Sequence, residues 1–409
     1  MTGRRSDEQN RAPESLDAGL RYRFPRRFRL VTAGERDFKL VSMYESMRVR
    51  GAGVADEVLA VVLPRLEEGS SVEDLVLAAG PSNHDAVRTI VEELGQRGML
   101  VQERPGDTPG KREAQLYSAQ ESFFSNFRPM GEAPPGAPFA LADKAADIQR
   151  NLTQSTVLLI GLGRIGSRVA KGLAHVGIGR LWATDPAPVG HDDCIDGAYA
   201  GSAVGQSRED AVGEIVRESN SFVVYEQLDA AALLSENPRL PGAVDLIVLC
   251  DDGFDPERHR AVNRLCLQRG IRWTSCRNLG YRVEVGPLVV PHETACFNCF
   301  EMRKASNAES YGAFLAVRER LTERGAGLGA LNITLGYEVL ALEVVKSLSG
   351  FSPPSTYASV WSFDPVTLRS QLHPVLKVPR CPVCRGSARN APSMAIWDLG
   401  QLFSTPPAR

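Results

Sequence analysis

The stretch TVLLIGLGRIGSRVAKGLAHVGIGRLWATD, residues 156–185, predicts a strand, a glycine-rich turn, a helix and a second strand in direct succession. The first apolar run ends at Ile160 and the second ends at Asp185. A further apolar run, AVDLIVLCDD at 243–252, and a helical pattern at 258–271 repeat the alternation of strand and helix. Strands that alternate with helices build a parallel sheet. The sequence therefore predicts an α/β domain of the doubly wound, Rossmann-like type.

The glycine-rich turn carries the candidate cofactor-binding residues, which are Gly161, Gly163, Gly166 and Asp185. The first two glycines let the backbone turn and approach phosphate, and the start of the helix offers unpaired N–H groups. Asp185, at the end of the second strand, is placed to accept hydrogen bonds from ribose hydroxyls. The pattern favours a nucleotide site, but doubly wound domains that bind no nucleotide also keep it.

Composition limits the classes of protein that this chain can be. Its 409 residues predict two or more domains, and 47 basic against 49 acidic side chains argue against a general nucleic-acid-binding surface. No stretch reaches the ~20 consecutive apolar residues that a membrane helix needs, and the N-terminus carries charges where a signal peptide is apolar. We therefore expect a cytoplasmic protein with neither a membrane nor a nucleic acid as partner.

Four of the eight cysteines form two closely spaced pairs, CFNC at 296–299 and CPVC at 381–384. In a reducing cytoplasm such pairs indicate a metal site rather than disulfides. Four thiolates suit tetrahedral zinc and leave no position open for water or substrate. The candidate metal ligands of a structural Zn²⁺ are thus Cys296, Cys299, Cys381 and Cys384.

A smaller block precedes the α/β domain. The segment FRLVTAGERDFKLVS, residues 28–42, predicts a hairpin, and Ser71 and Asn83 are placed as caps of helices. A short strand, MLVQERP at 99–105, closes the block. Three amphipathic patterns predict helices, at 56–69, 71–80 and 84–98. A hairpin, three helices and a last strand are the pattern of a winged helix-turn-helix domain.

The third helix argues against DNA as the ligand of this block. It carries Asp85, Glu92 and Glu93 beside only Arg88 and Arg97, which is a poor match to phosphate. A peptide partner fits this charge better than DNA does.

The block resembles the precursor-peptide recognition element of proteins that modify ribosomally made natural products. The resemblance implies that a leader peptide adds a strand to the hairpin edge, around Phe28 to Val41, and packs on the third helix, around Val87 to Leu94. A generic winged-helix module remains the alternative.

The segment between the two blocks is rich in Pro, Gly and polar residues, which is typical of a linker. The predicted boundaries are a flexible N-terminus at 1–25, a winged-helix peptide-recognition domain at 26–104, a linker at 105–138, the Rossmann-like domain with the zinc site at 139–395, and a tail at 396–409.

The second block resembles the ubiquitin-activating-enzyme superfamily in its bacterial ThiF and MoeB form. The resemblance is carried by GLGRIGS at 161–167, VLCDDGFDPERHRAVNRLC at 248–266, GLGALNITLGYEVLALEVVKSL at 327–348 and the two cysteine pairs. It implies one zinc ion held by both pairs, a homodimer, and ATP with Mg²⁺ used to adenylate a carboxylate. By position, Asp252 would be the catalytic residue that positions magnesium and the α-phosphate.

The phosphate-binding residues of that family are where this sequence departs. After Asp185 no arginine occurs before Arg208, Gln206 stands where a lysine is expected, and Arg164 replaces a glycine. Arg208 is the candidate substitute, because guanidinium is a planar bidentate donor. Three acidic side chains in this region would repel ATP: Asp192, Asp193 and Asp196.

The two blocks together resemble the partner proteins of YcaO cyclodehydratases, which form azole rings in ribosomal peptides such as thiopeptides. The first hypothesis is therefore a leader-peptide-binding partner, without catalysis of its own, that delivers the precursor to a YcaO enzyme for Cys, Ser and Thr heterocyclisation. The alternative is an ATP-dependent adenylating enzyme that acts on a peptide carboxylate through Asp252 and Arg208. An NAD-dependent oxidoreductase fits the glycine turn but accounts for neither the cysteine pairs nor the first block.

Overall fold

The computed structural model divides into two compact units, unit 1 (Met1–Met130 with Ala142–Gln149) and unit 2 (Gly131–Leu141 with Arg150–Arg409). The predicted tail lies outside the described residues, and so does most of the predicted N-terminal segment and linker. The structure describes residues 20–25, 28–32, 37–41, 46–50, 54–97, 99–103, 116–120, 123–124, 141–142, 145–233, 240–279, 282–313, 316 and 329–385.

Among the described residues between 20 and 103, unit 1 has two small sheets and three α-helices. One sheet has the order β2-β3-β4 and the other β5-β1-β6. The antiparallel β2–β3 hairpin and the three helices confirm the predicted elements, whereas β1, β4 and β5 were not predicted. The elements are β1 (Arg21–Arg23), β2 (Arg29–Thr32), β3 (Phe38–Val41), β4 (Ser46–Val49), α1 (Val54–Glu68), β5 (Ser70–Ser71), α2 (Val72–Ala79), α3 (His84–Gln96) and β6 (Val101–Glu103).

The helices of unit 1 bury one apolar stripe each in a common core, which includes Leu63, Leu75 and Val91. Ser71 caps α2 as expected, because its side chain accepts a hydrogen bond from the backbone N–H of Asp74. The expectation for Asn83 is wrong. Its side chain donates to the carbonyl of Ala79 in the preceding helix and makes no cap hydrogen bond to α3.

Unit 2 is built on one eight-stranded sheet with the order β14-β13-β12-β11-β10-β7-β8-β9. The elements after β6 are α4 (Ala145–Gln154), β7 (Thr156–Ile160), α5 (Arg164–Val176), β8 (Arg180–Thr184), α6 (His191–Asp196), α7 (Arg208–Ser219), β9 (Val224–Gln227), α8 (Ala230–Leu233), β10 (Leu246–Asp251), α9 (Pro256–Arg269), β11 (Arg272–Leu279), β12 (Arg282–Val285), α10 (Phe297–Asn307), α11 (Gly329–Ser349), β13 (Ser359–Asp364) and β14 (Arg369–Pro374).

Five neighbouring strands of this sheet are parallel, and β12, β13 and β14 extend it antiparallel. Every residue of β7 and β10 is buried, as expected for the central strands of a sheet covered on both faces. The predicted α/β class with a large sheet is confirmed. Among the described helices, none is both long and apolar enough to cross a membrane.

Within the sheet, β7 lies between β8 and β10. The chain runs from β7 to β8 on one flank, and β10 is the neighbour on the other flank. The carboxyl ends of β7 and β10 therefore flank the point where the strand order reverses. In open α/β sheets this is where ligands bind. It is also where the glycine-rich turn and Asp252 lie.

Candidate functional site

The turn between β7 and α5 has room for glycine only. Gly161 has φ +89°, and a Cβ built on it would lie 2.2 Å from the carbonyl oxygen of Cys250. A Cβ on Gly166 would lie 1.9 Å from the carbonyl oxygen of Gly161. These contacts are with backbone, which cannot move aside as a flexible side chain can. Gly161 and Gly166 are thus required by packing against backbone, whether or not a nucleotide binds.

Replacing Gly166 with alanine is expected to destabilise the protein by about 3 kcal/mol, since the new methyl group forces the turn away from α5. Denaturant unfolding monitored by circular dichroism measures the change. The matched control is Gly201→Ala, where a Cβ meets nothing within 4 Å and the change is expected to stay within about 0.5 kcal/mol. Equal stability of the two variants would contradict this account of the turn.

A carboxylate of the protein occupies the start of α5. Asp252 accepts hydrogen bonds from the backbone N–H groups of Arg164 at 2.8 Å and of Ile165 at 3.0 Å. A Cβ on Gly163 would meet the Asp252 Oδ2 atom at 2.0 Å, so this glycine admits the carboxylate. The unpaired N–H groups at a helix start are the ones that bind phosphate in nucleotide-binding domains. Here Asp252 satisfies two of them.

Asp185 and Arg208 form an ion pair with each other, so neither side chain is without a partner. Asp185 accepts from the backbone N–H of Leu162 at 2.8 Å and from Arg208 Nη1 at 2.9 Å. Arg208 also donates to Asp193 Oδ2 from Nη2 at 2.7 Å and from Nε at 3.1 Å. Burial alone would lower the pKa of Arg208, but the hydrogen bonds and charges of Asp193 and Asp185 outweigh burial and raise it. The guanidinium is therefore fully charged and already paired with two carboxylates.

A second arginine of this cluster is paired in the same way. Arg164 lies 3.5 Å from Asp196 Oδ2 through Nη1 and 3.9 Å from Asp252 Oδ2 through Nε. Burial raises the pKa of Asp196, and the charge of Arg164 opposes that rise. With Asp185, Asp193, Asp196 and Asp252 against Arg164 and Arg208, the cluster has more acidic than basic groups. A triphosphate entering it would meet net negative charge.

Asp251, the residue before Asp252, takes no part in this cluster. Its Oδ2 atom accepts from the backbone N–H of Asp255 at 2.6 Å and lies 3.7 Å from His259 Nδ1. Burial raises the pKa of Asp251 to about 6 and lowers the pKa of His259 to about 3. The neutral imidazole packs among the rings of Phe254, Trp273 and Phe297.

The four predicted cysteines come together in a candidate metal site. The Sγ–Sγ distances are 3.8 Å for Cys296–Cys299, 3.7 Å for Cys296–Cys381 and 3.6 Å for Cys299–Cys384, and all four sulfurs lie within 4.8 Å of one another. Sulfurs at the corners of a tetrahedron with Zn–S bonds of about 2.3 Å are about 3.8 Å apart. The backbone N–H of Val378 also donates to Cys299 Sγ at 3.4 Å. The arrangement fits a closed four-thiolate metal site.

In the structure the predicted nucleotide-binding residues lie close to one another, and so do the predicted metal ligands. The two groups lie at different places in unit 2. Gly161, Gly163, Gly166, Asp185, Arg208 and Asp252 surround the start of α5, and the cysteines join the start of α10 to the turn after β14. Sequence reasoning missed the pairing of Arg208 with Asp193. The excess of aspartates near Arg208 was the available signal, but it was interpreted only as repulsion of ATP.

Comparison with known proteins places unit 2 in a family. Residues 137–383 match the model of the ThiF family. The chain is 22% identical over 239 residues to the molybdopterin-synthase adenylyltransferase of Escherichia coli, a match that covers 58% of this chain and 90% of that one. It is 29% identical over 221 residues to adenylyltransferase and sulfurtransferase MOCS3 of Xenopus laevis. That match covers 52% of this chain but only 45% of the Xenopus protein, so the chain spans less than half of this relative.

The fold resembles solved structures over most of the chain. The structure of Escherichia coli MccB with AMPCPP and MccA has a TM-score of 0.61 and 17% identity, covering 89% of this chain and 99% of that one. At this identity the likeness concerns the fold alone.

Proposed function

Because the chain belongs to the ThiF family, we propose that it is a non-adenylating member that binds the leader of a ribosomally made precursor peptide. It delivers this peptide to a YcaO cyclodehydratase, which heterocyclises Cys, Ser and Thr residues. A homodimer is part of the proposal.

The main support for the proposal is that carboxylates of the protein itself already bind the backbone N–H groups of the glycine-rich turn. Asp252 and Asp185 accept from three backbone N–H groups of the turn and the helix start, those of Leu162, Arg164 and Ile165. Arg208, the candidate cation for phosphate, is held by two carboxylates. Binding ATP would require breaking these contacts and placing a triphosphate among carboxylates, and both steps oppose binding.

Unit 1 supplies a surface suited to the leader. Strand β2 pairs only with β3 among the described residues, and Arg29, Val31 and Thr32 are exposed on it. An extended peptide can add to such an edge through backbone hydrogen bonds. On α3 the residues available to the peptide include Thr89 and Glu92, because Val87, Val91 and Leu94 face the core. This geometry supports the winged-helix, peptide-binding interpretation of unit 1.

The four cysteines would hold a structural Zn²⁺. Four thiolates fill the coordination sphere, so the ion would supply folding stability and no Lewis-acid chemistry. These residues would hold the start of α10 against the turn after β14.

The test is calorimetry on the full, metal-loaded chain, first with ATP and Mg²⁺ and then with leader peptides of candidate precursors. We expect a leader to bind and ATP to give no heat of binding. ATP binding together with pyrophosphate exchange, in the absence of a YcaO enzyme, would overturn the proposal in favour of peptide-carboxylate adenylation. MccB, whose fold this chain resembles at 17% identity, has been solved with ATP, so this outcome is the one to test first.

Replacing Asp252 with alanine is expected to leave heterocycle formation within about twofold of wild type, because Asp252 caps α5 rather than binding magnesium. Mass spectrometry of the precursor, incubated with the YcaO enzyme and ATP, counts the loss of one water per ring.

The matched control is Asp255→Ala. Asp255 caps α9 by accepting from the backbone N–H groups of Glu257 and Arg258, so its loss removes a comparable pair of hydrogen bonds. Loss of rings in Asp252→Ala but not in Asp255→Ala, at equal stability, would show that Asp252 is catalytic.

A further inference from the structure

The edge of the large sheet at β14 exposes an unusual number of apolar side chains. All six residues of β14 are exposed. We call the segment from Pro365 to Arg385 the edge surface. Its exposed apolar residues, with their exposed fractions, are Val366 (70%), Leu368 (78%), Leu372 (51%), Leu376 (65%) and Val383 (38%). A run of large apolar residues exposed to this degree is typical of an interaction site.

The exposed charged side chains of the edge surface are all cationic. The segment PVTLRSQLHPVLKVPRCPVCR contains no aspartate or glutamate. Its four cationic side chains, Arg369, Lys377, Arg380 and Arg385, are all exposed. Arg303 of α10 adds a fifth, since its guanidinium donates to the carbonyl of Leu376 at 3.4 Å. A partner for this surface must therefore carry acidic groups around its apolar contacts.

The backbone of β14 is open to pairing. Among the described residues β14 pairs only with β13. The N–H of Val375 donates to the carbonyl of Ala358, on the β13 side. Since successive N–H groups of a strand alternate in direction, those of Ser370 and Leu372 point away from β13. Pro374, which has no N–H, falls at an outward position where the sheet loses no hydrogen bond.

The turn between β13 and β14 holds a leucine where glycine would be favoured. Leu368 has φ +53°, in the left-handed region that few bulky residues adopt. Asp364 fixes the turn by accepting from the backbone N–H groups of Val366 at 3.0 Å and Thr367 at 3.3 Å. Folding alone does not explain an exposed leucine in a strained conformation, whereas a contact made by its side chain would.

We propose that the edge surface docks an acidic strand of the cyclodehydratase that carries apolar side chains and adds to β14. This inference rests on the proposed function and names the surface through which the delivery partner meets its enzyme. The partner strand pairs with the outward groups of Ser370 and Leu372. Its apolar side chains meet Leu368 and Leu372, and its carboxylates meet Arg369 and the neighbouring cations.

Two other occupants fit the observations less well. A nucleic acid would use the cations but gain nothing from exposed leucines or from an open strand edge. A second copy of this chain would bring the same cations against each other if it paired through the same edge.

The probe is a fluorescein-labelled synthetic peptide of alternating glutamate and valine, titrated into the full, metal-loaded chain at low salt. The variant is Leu372→Glu, and the matched control is Val224→Glu. Leu372 and Val224 are both apolar, are 51% and 47% exposed, and lie on the edge strands at opposite ends of the same sheet. We expect Leu372→Glu to weaken peptide binding about tenfold and Val224→Glu to change it by less than about twofold.

A second variant separates binding from folding. Leu368→Gly relieves the left-handed conformation, so we expect the Tm to stay the same or rise by about 2 °C while peptide affinity falls. A peptide of alternating lysine and valine should not bind. Equal effects of Leu372→Glu and Val224→Glu, tighter binding of a duplex oligonucleotide than of the acidic peptide, or a dimer that Leu372→Glu converts to monomer would each overturn the proposal.

The same variants in the heterocyclisation assay separate this inference from the proposed function. We expect Leu372→Glu to abolish ring formation while leader affinity, measured by calorimetry, is unchanged. If wild type binds the acidic peptide but supports no ring formation with a YcaO enzyme, the proposed function fails and with it the cyclodehydratase as occupant, although the edge surface still binds an acidic strand. If the peptide does not bind and Leu372→Glu forms rings like wild type, the docking surface is wrong and the proposed function stands.

Discussion

Replacing Cys296 with serine is expected to abolish metal binding and to unfold the part of unit 2 around β14 and α10. Cys296 is 1% exposed and lies in the buried core cluster with Cys299, Cys381 and Cys384. Cys296 and Cys381 are 85 residues apart in the chain, so a metal ion bound by all four cysteines would close a long loop. Structural zinc contributes about 10 kcal/mol or more to the folding of small domains, which is comparable to the whole stability of many proteins.

Metal analysis and thermal unfolding measure this outcome. The wild type should carry one zinc per chain, and the variant close to none, with a lower and less cooperative transition. The matched control is Cys194→Ser, a partly exposed cysteine outside the cluster, which should keep both the metal and the Tm. A strong chelator should lower the Tm of wild type to that of Cys296→Ser. A variant that keeps its zinc and its Tm would show that three thiolates suffice or that the ion is bound elsewhere.

The parallel part of unit 2 could be predicted because its signals are local, whereas the antiparallel strands β12, β13 and β14 were not predicted. The run from Thr156 to Asp185 contains strand, turn, helix and strand within one stretch, and each element forms as the sequence predicts. The cysteine pairs are equally local, since each pair occupies one turn. Only the convergence of both pairs at one point, 85 residues apart for Cys296 and Cys381, needed the resemblance or the structure.

The small strands of unit 1 escaped prediction for the opposite reason. β1 has three residues and pairs with β5 and β6, which lie far from it along the chain. Arg21, for example, is paired with Ser71 and with Glu103. So short a run has no period of its own, and what makes it a strand is the pairing. The winged-helix interpretation of unit 1 is compatible with the additional strands β1, β4 and β5, and it remains part of the proposal.

The arrangement of the candidate nucleotide site could not be predicted from the sequence either. Asp252 reaches the N–H of Arg164 across 88 residues, because β7 and β10 pair side by side. The sequence shows an aspartate at a strand end, which fits both a magnesium-positioning residue and a helix cap. Only the direction of its carboxylate, toward the amides of Arg164 and Ile165, supports the second role.

Replacing Arg208 with methionine is expected to lower the free energy of unfolding by about 3–5 kcal/mol, since it leaves two buried carboxylates without their cation. The side chains of Arg208, Asp185 and Asp193 are 13%, 13% and 6% exposed, so water cannot replace the lost guanidinium. Denaturant unfolding measures the loss. The matched control is Arg258→Met, whose ion pair with Asp255 is more than a third exposed on both sides and should cost less than about 1 kcal/mol.

A double variant distinguishes two roles of Arg208, neutralising Asp193 and binding a triphosphate. If Arg208 serves to neutralise Asp193, then Asp193→Asn in the Arg208→Met background should recover part of the lost stability, giving a large coupling energy in the double-mutant cycle. If Arg208 instead exists to bind a triphosphate, Arg208→Met should leave stability within about 1 kcal/mol of wild type. ATP should then raise the Tm of wild type but not of the variant, because only a ligand of the folded state stabilises it. We expect the first result, since hydrogen bonds to Asp185 and Asp193 already use three of the five N–H donors of the Arg208 guanidinium.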